Sequence, residues 1–178
     1  RQENHVLRST VNSGKRIVFM GDSITEGWPG LCPEFFKNKD HINRGISGQT
    51  TPQMLIRFKP DVIDLSPSTV VILAGTNDIA ENTGPSNVKM ITDNIFSMAD
   101  LASAHKIDII LCSILPVYEY PWKKIVDVPS YIHEVNTRLK DYCSENIFQY
   151  IDYFSAMANE KKGLGEDLSE DGVHPNEK

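Results

Sequence analysis

Cysteine is scarce: the three residues, Cys32, Cys112 and Cys143, stand too far apart for a disulfide framework or a metal knuckle, and they read as packing or incidental residues. No apolar run approaches the roughly 18 residues that a membrane-spanning helix needs, so no integral membrane segment is expected. Positive charge is in deficit. The 18 Lys and Arg against 24 Asp and Glu leave a net charge of −6. That balance argues against nucleic acid or an anionic membrane surface as partner, because both are usually met by a basic patch. There is no internal repeat and no low-complexity tract. His, Cys and carboxylate residues do not cluster at ligand spacing, so neither a metal nor any other cofactor is expected. The opening stretch RQENHVLRSTVNSGK lacks the apolar core of a signal peptide. It fits a cytosolic start and equally a mature end left after export, so the compartment stays open, as does the oligomeric state.

What is present suits one globular domain over 1–178, with 1–14 as an N-terminal arm: 40% hydrophobic and 24% charged residues are ordinary values. Ile17–Met20, bounded by Gly21, is a β-branched and apolar block that predicts a buried strand, and Ser68–Ala74 (STVVILA) predicts a second. Ile42, Ile107–Ile114 and Phe148–Ile151 supply further strand candidates. Between them, apolar spacings of three and four predict helices over Asn87–His105 and Tyr131–Cys143. A shorter helix is capped by Thr50 or Thr51 and ends at Lys59-Pro60, and Tyr153–Lys161 predicts another. Trp28–Lys39 reads as a loop feeding a short helix, and Gly163–Lys178 as a polar loop. Strand–helix alternation repeated about five times predicts an α/β three-layer sandwich with a central parallel sheet of about five strands. All the strand exits should then share one edge.

Four short blocks lie at or after those exits: Gly21-Asp22-Ser23, the glycine of NRGISGQT at 48, Gly75-Thr76-Asn77-Asp78, and Asp171-Gly172-Val173-His174-Pro175. Each alone has an ordinary reading, as a strand-to-helix turn, a polar tetrapeptide turn or a chance DxxH. Their order along the chain points elsewhere. A serine opening a helix after a buried strand sits where free backbone N–H groups favour negative charge. It is not the G-x-S-x-G elbow, because Thr25 occupies the second glycine position.

With these blocks the chain resembles the GDSL esterase family, or SGNH hydrolases, across Ile17 to Pro175, and its acetylhydrolase-like bacterial members in particular. The resemblance implies a flavodoxin-like fold and a serine ester hydrolase. It assigns the nucleophile to Ser23, the base to His174 and the orienting carboxylate to Asp171, with an oxyanion hole built from Ser23, Gly48 and the side chain of Asn77. Glu166, Asp167 and Glu170 are rivals to Asp171, and His5, His41, His105 and His133 read as surface or packing residues. The family usually continues into a final helix packed on the sheet. The sequence stops at Lys178, so that helix is expected to be absent here.

The chemistry fits these residue types independently. A serine hydroxyl needs an adjacent base, histidine's pKa near 6.5 suits that task, and a carboxylate fixes its tautomer. For substrate, the resemblance favours a small acyl group, acetyl above all, on a carbohydrate. Asp22, Trp28, Tyr118 and Trp122 are the candidate substrate contacts, the aromatic ones as stacking faces or as hydrophobic walls. Lysophospholipase or thioesterase activity is the alternative, and from another class, a sugar- or phosphate-binding module of the same fold without chemistry.

Overall fold

A computed structural model describes Leu7 and residues 14–178; the expected arm and its Asn12-Ser13 turn signal therefore lie largely outside the described residues, as does His5. Five parallel strands form the sheet: β1 (Ile17–Gly21), β2 (His41–Gly45), β3 (Thr69–Ile72), β4 (Asp108–Cys112) and β5 (Gln149–Ile151). Their spatial order is β2-β1-β3-β4-β5. The register pairs Met20 with Arg44 and Ile72, and Gly21 with Gly45, so the first three strands reach one edge together. This is the α/β architecture that the alternation predicts.

Alternation of side chains along each strand gives the sheet two unequal faces. Val18, Met20, Val70, Ile72, Ile109 and Leu111 point into the larger core. There they meet α3 (Thr51–Asp61) through Met54 and Phe58, α5 (Val88–Ala104) through Ile91, Ile95 and Met98, and α6 (Val128–Asn146) through Ile132 and Leu139. On the opposite face Phe19, Val71 and Cys112 meet Trp28, Phe35, Phe36 and Tyr153, carried by α1 (Ser23–Leu31), α2 (Pro33–Phe36) and α7 (Tyr153–Met157). This second cluster is small and aromatic.

Some local outcomes differ from the sequence expectation, among them the helix expected over Tyr153–Lys161, which ends at Met157. The first helix runs through Trp28 and Pro29 to Leu31 instead of yielding to a loop at Trp28. Its last turn is held from outside, by the Trp28 ring stacked on Phe35 at 5.3 Å and edge-on to Phe19 at 5.6 Å, which outweighs the amide that Pro29 lacks. The helix α3 likewise carries Pro60 within it and ends at Asp61. Thr76-Asn77-Asp78, whose ordinary reading is a polar turn, forms with Ile79 a helical turn, α4 (Thr76–Ile79).

Two glycines set the spacing between helix and sheet. A Cβ at Gly21 meets the Thr25 hydroxyl at 2.0 Å, and one at Gly45 meets the Glu26 backbone nitrogen at 2.1 Å. No other residue lets α1 lie so near the ends of β1 and β2.

Candidate active site

Ser23 is the first residue of α1, directly after β1, with Asp22 as the N-cap. Asp22 is buried, 1% exposed, and its Oδ1 accepts the Ile24 N–H at 3.0 Å. Burial pushes its carboxyl up to about 6, against the opposing pull of that N–H and of nearby His174. The carboxylate of Asp22, a candidate substrate contact, faces the helix start. As a first-turn residue, Ser23 has a backbone N–H with no partner inside the helix.

The Ser23 hydroxyl lies 2.8 Å from His174 Nε2, and His174 Nδ1 lies 2.6 Å from Asp171 Oδ2, although 151 residues separate the serine from the histidine. Burial nudges the Asp171 carboxyl upward, but the backbone N–H of His174, its ring and the Val173 N–H outweigh it and bring the group down to about 2. An ionised carboxylate only accepts, so Nδ1 carries the proton and Nε2 presents its lone pair to the serine hydroxyl. It is Asp171, among the acidic residues of that segment, that meets the ring. His41 and His105 instead turn Nδ1 to the backbone carbonyls of Phe35 and Leu101, as suits surface or packing residues.

The loop carrying the pair is stitched to itself. Asp171 Oδ1 accepts from the backbone of Val173 (2.9 Å) and His174 (2.8 Å). The Ser169 hydroxyl accepts from Gly172 N–H at 3.0 Å and reaches the His174 carbonyl at 2.7 Å. Sequence reasoning missed Ser169, since nothing in its spacing distinguishes it from other polar loop residues.

The donors on the other side are anchored in the core. Asn77 is 4% exposed, and its amide is held at both ends: Nδ2 donates to the Gln49 carbonyl at 3.1 Å and Oδ1 accepts from Asn82 Nδ2 at 2.7 Å. One N–H remains on Nδ2. Gly48, one residue before Gln49, has φ +73°, and among the described residues its N–H has no hydrogen-bond partner. The preceding Ser47 N–H is held at 3.0 Å by the carboxylate of Glu26, on the same turn of α1 as Ser23. Asp78 accepts the Thr51 N–H at 2.9 Å and its hydroxyl at 2.6 Å, and Asn94 of α5 donates to that hydroxyl at 3.0 Å. Burial pushes the Asp78 carboxyl up despite these bonds. Arg57 completes the frame, bonding Gly21 O at 3.0 Å, Asp61 at 3.1 Å and the side chain of Gln49.

Of the remaining candidates, Trp122 is half-exposed, with its ring centroid 6.4 Å from that of His174. Tyr118 is 55% exposed and packs its backbone side against Gly163. Trp28 belongs to the aromatic cluster yet reaches an apolar cleft of about 590 Å³ beside Ser23 and His174, walled also by Leu31, Leu73, Leu115, Tyr153 and Met157. Among the described residues no group of three metal-ligating side chains occurs, and no helix is long and apolar enough to cross a membrane.

Residues 19–178 match the model of a family described as GDSL-like Lipase/Acylhydrolase. A GDSL-like lipase from Bacteroides thetaiotaomicron VPI-5482 is 49% identical in sequence, covering 98% of this chain and 86% of its own, with a TM-score of 0.94. An arylesterase of Vibrio mimicus is 29% identical over 121 residues, 61% of this chain and 58% of its own. A lipoprotein of Bacillus subtilis (strain 168) is 34% identical over 120 residues, 58% of this chain. The matched region spans about half the length of these two curated relatives.

Proposed function

The chain belongs to the GDSL-like lipase/acylhydrolase family, and from that premise we propose that it is an ester hydrolase in which Ser23, His174 and Asp171 carry the chemistry through an acyl-enzyme. The observation behind this reading is the unbroken line from carboxylate to imidazole to hydroxyl at 2.6 and 2.8 Å. His174 Nε2 takes the Ser23 proton as Oγ bonds to the ester carbonyl carbon. The resulting oxyanion is met by the N–H groups of Ser23 and Gly48 and the free N–H of Asn77. Collapse expels the alcohol, protonated by His174; water, deprotonated by the same ring, then releases the acid and restores the serine. Family membership supports this reading over a non-catalytic binding module.

The acyl group we assign is small, acetyl above all, on a carbohydrate. The exposed ring of Trp122 beside His174 supports a sugar-like leaving group. The apolar cleft beside Ser23 favours a second reading, a longer acyl chain as in a lysophospholipid or thioester. Comparing p-nitrophenyl acetate with the octanoate, then acetylated xylan with a lysophospholipid, separates the two: acetate preference supports the first and octanoate preference the second. A fluorophosphonate adduct mapped to Ser23 by mass spectrometry is the expected result for the nucleophile; labelling of another residue overturns it.

A further inference from the structure

Asn77 can stabilise an oxyanion only if its amide presents nitrogen, not oxygen, to the site, and an asparagine side chain exchanges the two by a simple flip. The surroundings here remove that freedom. Trp122 Nε1 lies 3.3 Å from Asn82 Oδ1, Asn82 Nδ2 lies 2.7 Å from Asn77 Oδ1, and Asn77 Nδ2 lies 3.1 Å from the Gln49 carbonyl. An indole N–H can only donate, and a backbone carbonyl can only accept. With a fixed donor at one end and a fixed acceptor at the other, both amides between them have a single allowed orientation. Flipping either one sets two donors, or two acceptors, face to face. The backbone reinforces the middle link, since Asn82 N–H also donates to the Asn77 carbonyl at 3.0 Å.

We propose that Asn82 and Trp122 are positioning residues for the oxyanion hole, setting the polarity of the Asn77 amide through a one-way chain of hydrogen bonds. The ring of Trp122 stands beside His174, so the wall that faces the leaving group and the donor that faces the oxyanion share one linkage. The chain is also polarised in one direction, each bond strengthening the next. The inference rests on the role given to Asn77 above.

The test is a double-mutant cycle on p-nitrophenyl acetate, with unfolding midpoints measured alongside. Trp122→Phe keeps an aromatic ring and removes the donor together with the pyrrole half of the indole; Asn82→Ala removes the middle link. With net hydrogen-bond contributions of about 0.5–1.5 kcal/mol and 1.36 kcal/mol per tenfold in rate, kcat should fall roughly tenfold for Asn82→Ala, at unchanged KM, and about threefold for Trp122→Phe. In the double variant the loss should equal that of Asn82→Ala alone, because the chain is already cut. With the unfolding midpoints unmoved, that equality is not the product of lost stability. Losses that multiply, or wild-type kcat in both single variants while Asn77→Ala costs about 100-fold or more, overturn the proposal. If Asn77→Ala is itself harmless, the assignment of Asn77 falls first, and the two failures are told apart. Should Asn82→Ala fail to fold, Trp122→Phe on the exposed indole still decides: unchanged kcat rejects the linkage.

Discussion

The two halves of the site are built differently. On one side Asn77 and Asp78 are buried within a few per cent exposure and tied through Thr51 and Asn94 to helices of the main core. On the other, Asp171 and His174 have side chains 40% exposed on a loop with no regular structure, held by bonds within the loop itself. A hole that stabilises developing charge works by not moving, so its donors are set in the part of the molecule that resists movement. A base that shuttles protons needs only a local frame. Damage to the first half should therefore reach both activity and stability, whereas damage to the second should reach activity far more than stability.

The sharpest test is Ser23→Ala or His174→Ala, each expected to lower kcat by about 10⁴-fold or more with the urea midpoint unmoved; a large midpoint shift for His174→Ala would break the contrast. Asp171→Asn comes next, with a loss of about 10³–10⁴-fold from the wrong imidazole tautomer, read in the same assay. Asn77→Ala should cost about 100- to 1000-fold in kcat. Asp78→Ala, which touches no reacting atom in our reading, should lower stability by about 1–3 kcal/mol because it strands the buried Thr51 donors, measured by chemical denaturation.

The smallest effect lies in pH. Asp171 has a carboxyl held at about 2, so its contribution to stability is present above the usual carboxylate range and is lost as pH falls toward 2. Asp22, raised to about 6, behaves oppositely: its relative contribution is full below its ordinary value of 3.8 and disappears as pH rises through about 6. Asp22→Asn keeps an acceptor for the Ile24 N–H and removes the buried charge. Its melting temperature should exceed wild type above pH 6 and converge with it near pH 4. Equal melting curves across that range would contradict the burial argument.

The contrast also governs what could be read from the chain. The strands were legible because Ile17–Met20 and Ser68–Ala74 are continuous apolar blocks, and the long helices because their apolar spacing repeats. The blocks around Ser23, Gly48, Asn77 and His174 stood out as polar residues placed at strand exits or on the final loop. Asn82, Ser169 and Arg57 did not, because their partners are fixed by tertiary packing, which spacing along the chain does not encode. Asp78 had a signal: an acidic residue beside Asn77 in a block closing the most apolar strand. The helical turn at Trp28–Leu31 was hidden for a related reason, since Pro29 obeys its local preference less than the aromatic stack that surrounds it.

Gly45 takes no part in any hydrolytic step, yet strand β2 abuts the first turn of α1 there with no room for a methyl group. Any larger residue must lift that turn, and Ser23 rides on it. A search for faster variants that varies only residues lining the cleft would overlook this remote shim, whose thickness sets how far Ser23 stands from His174.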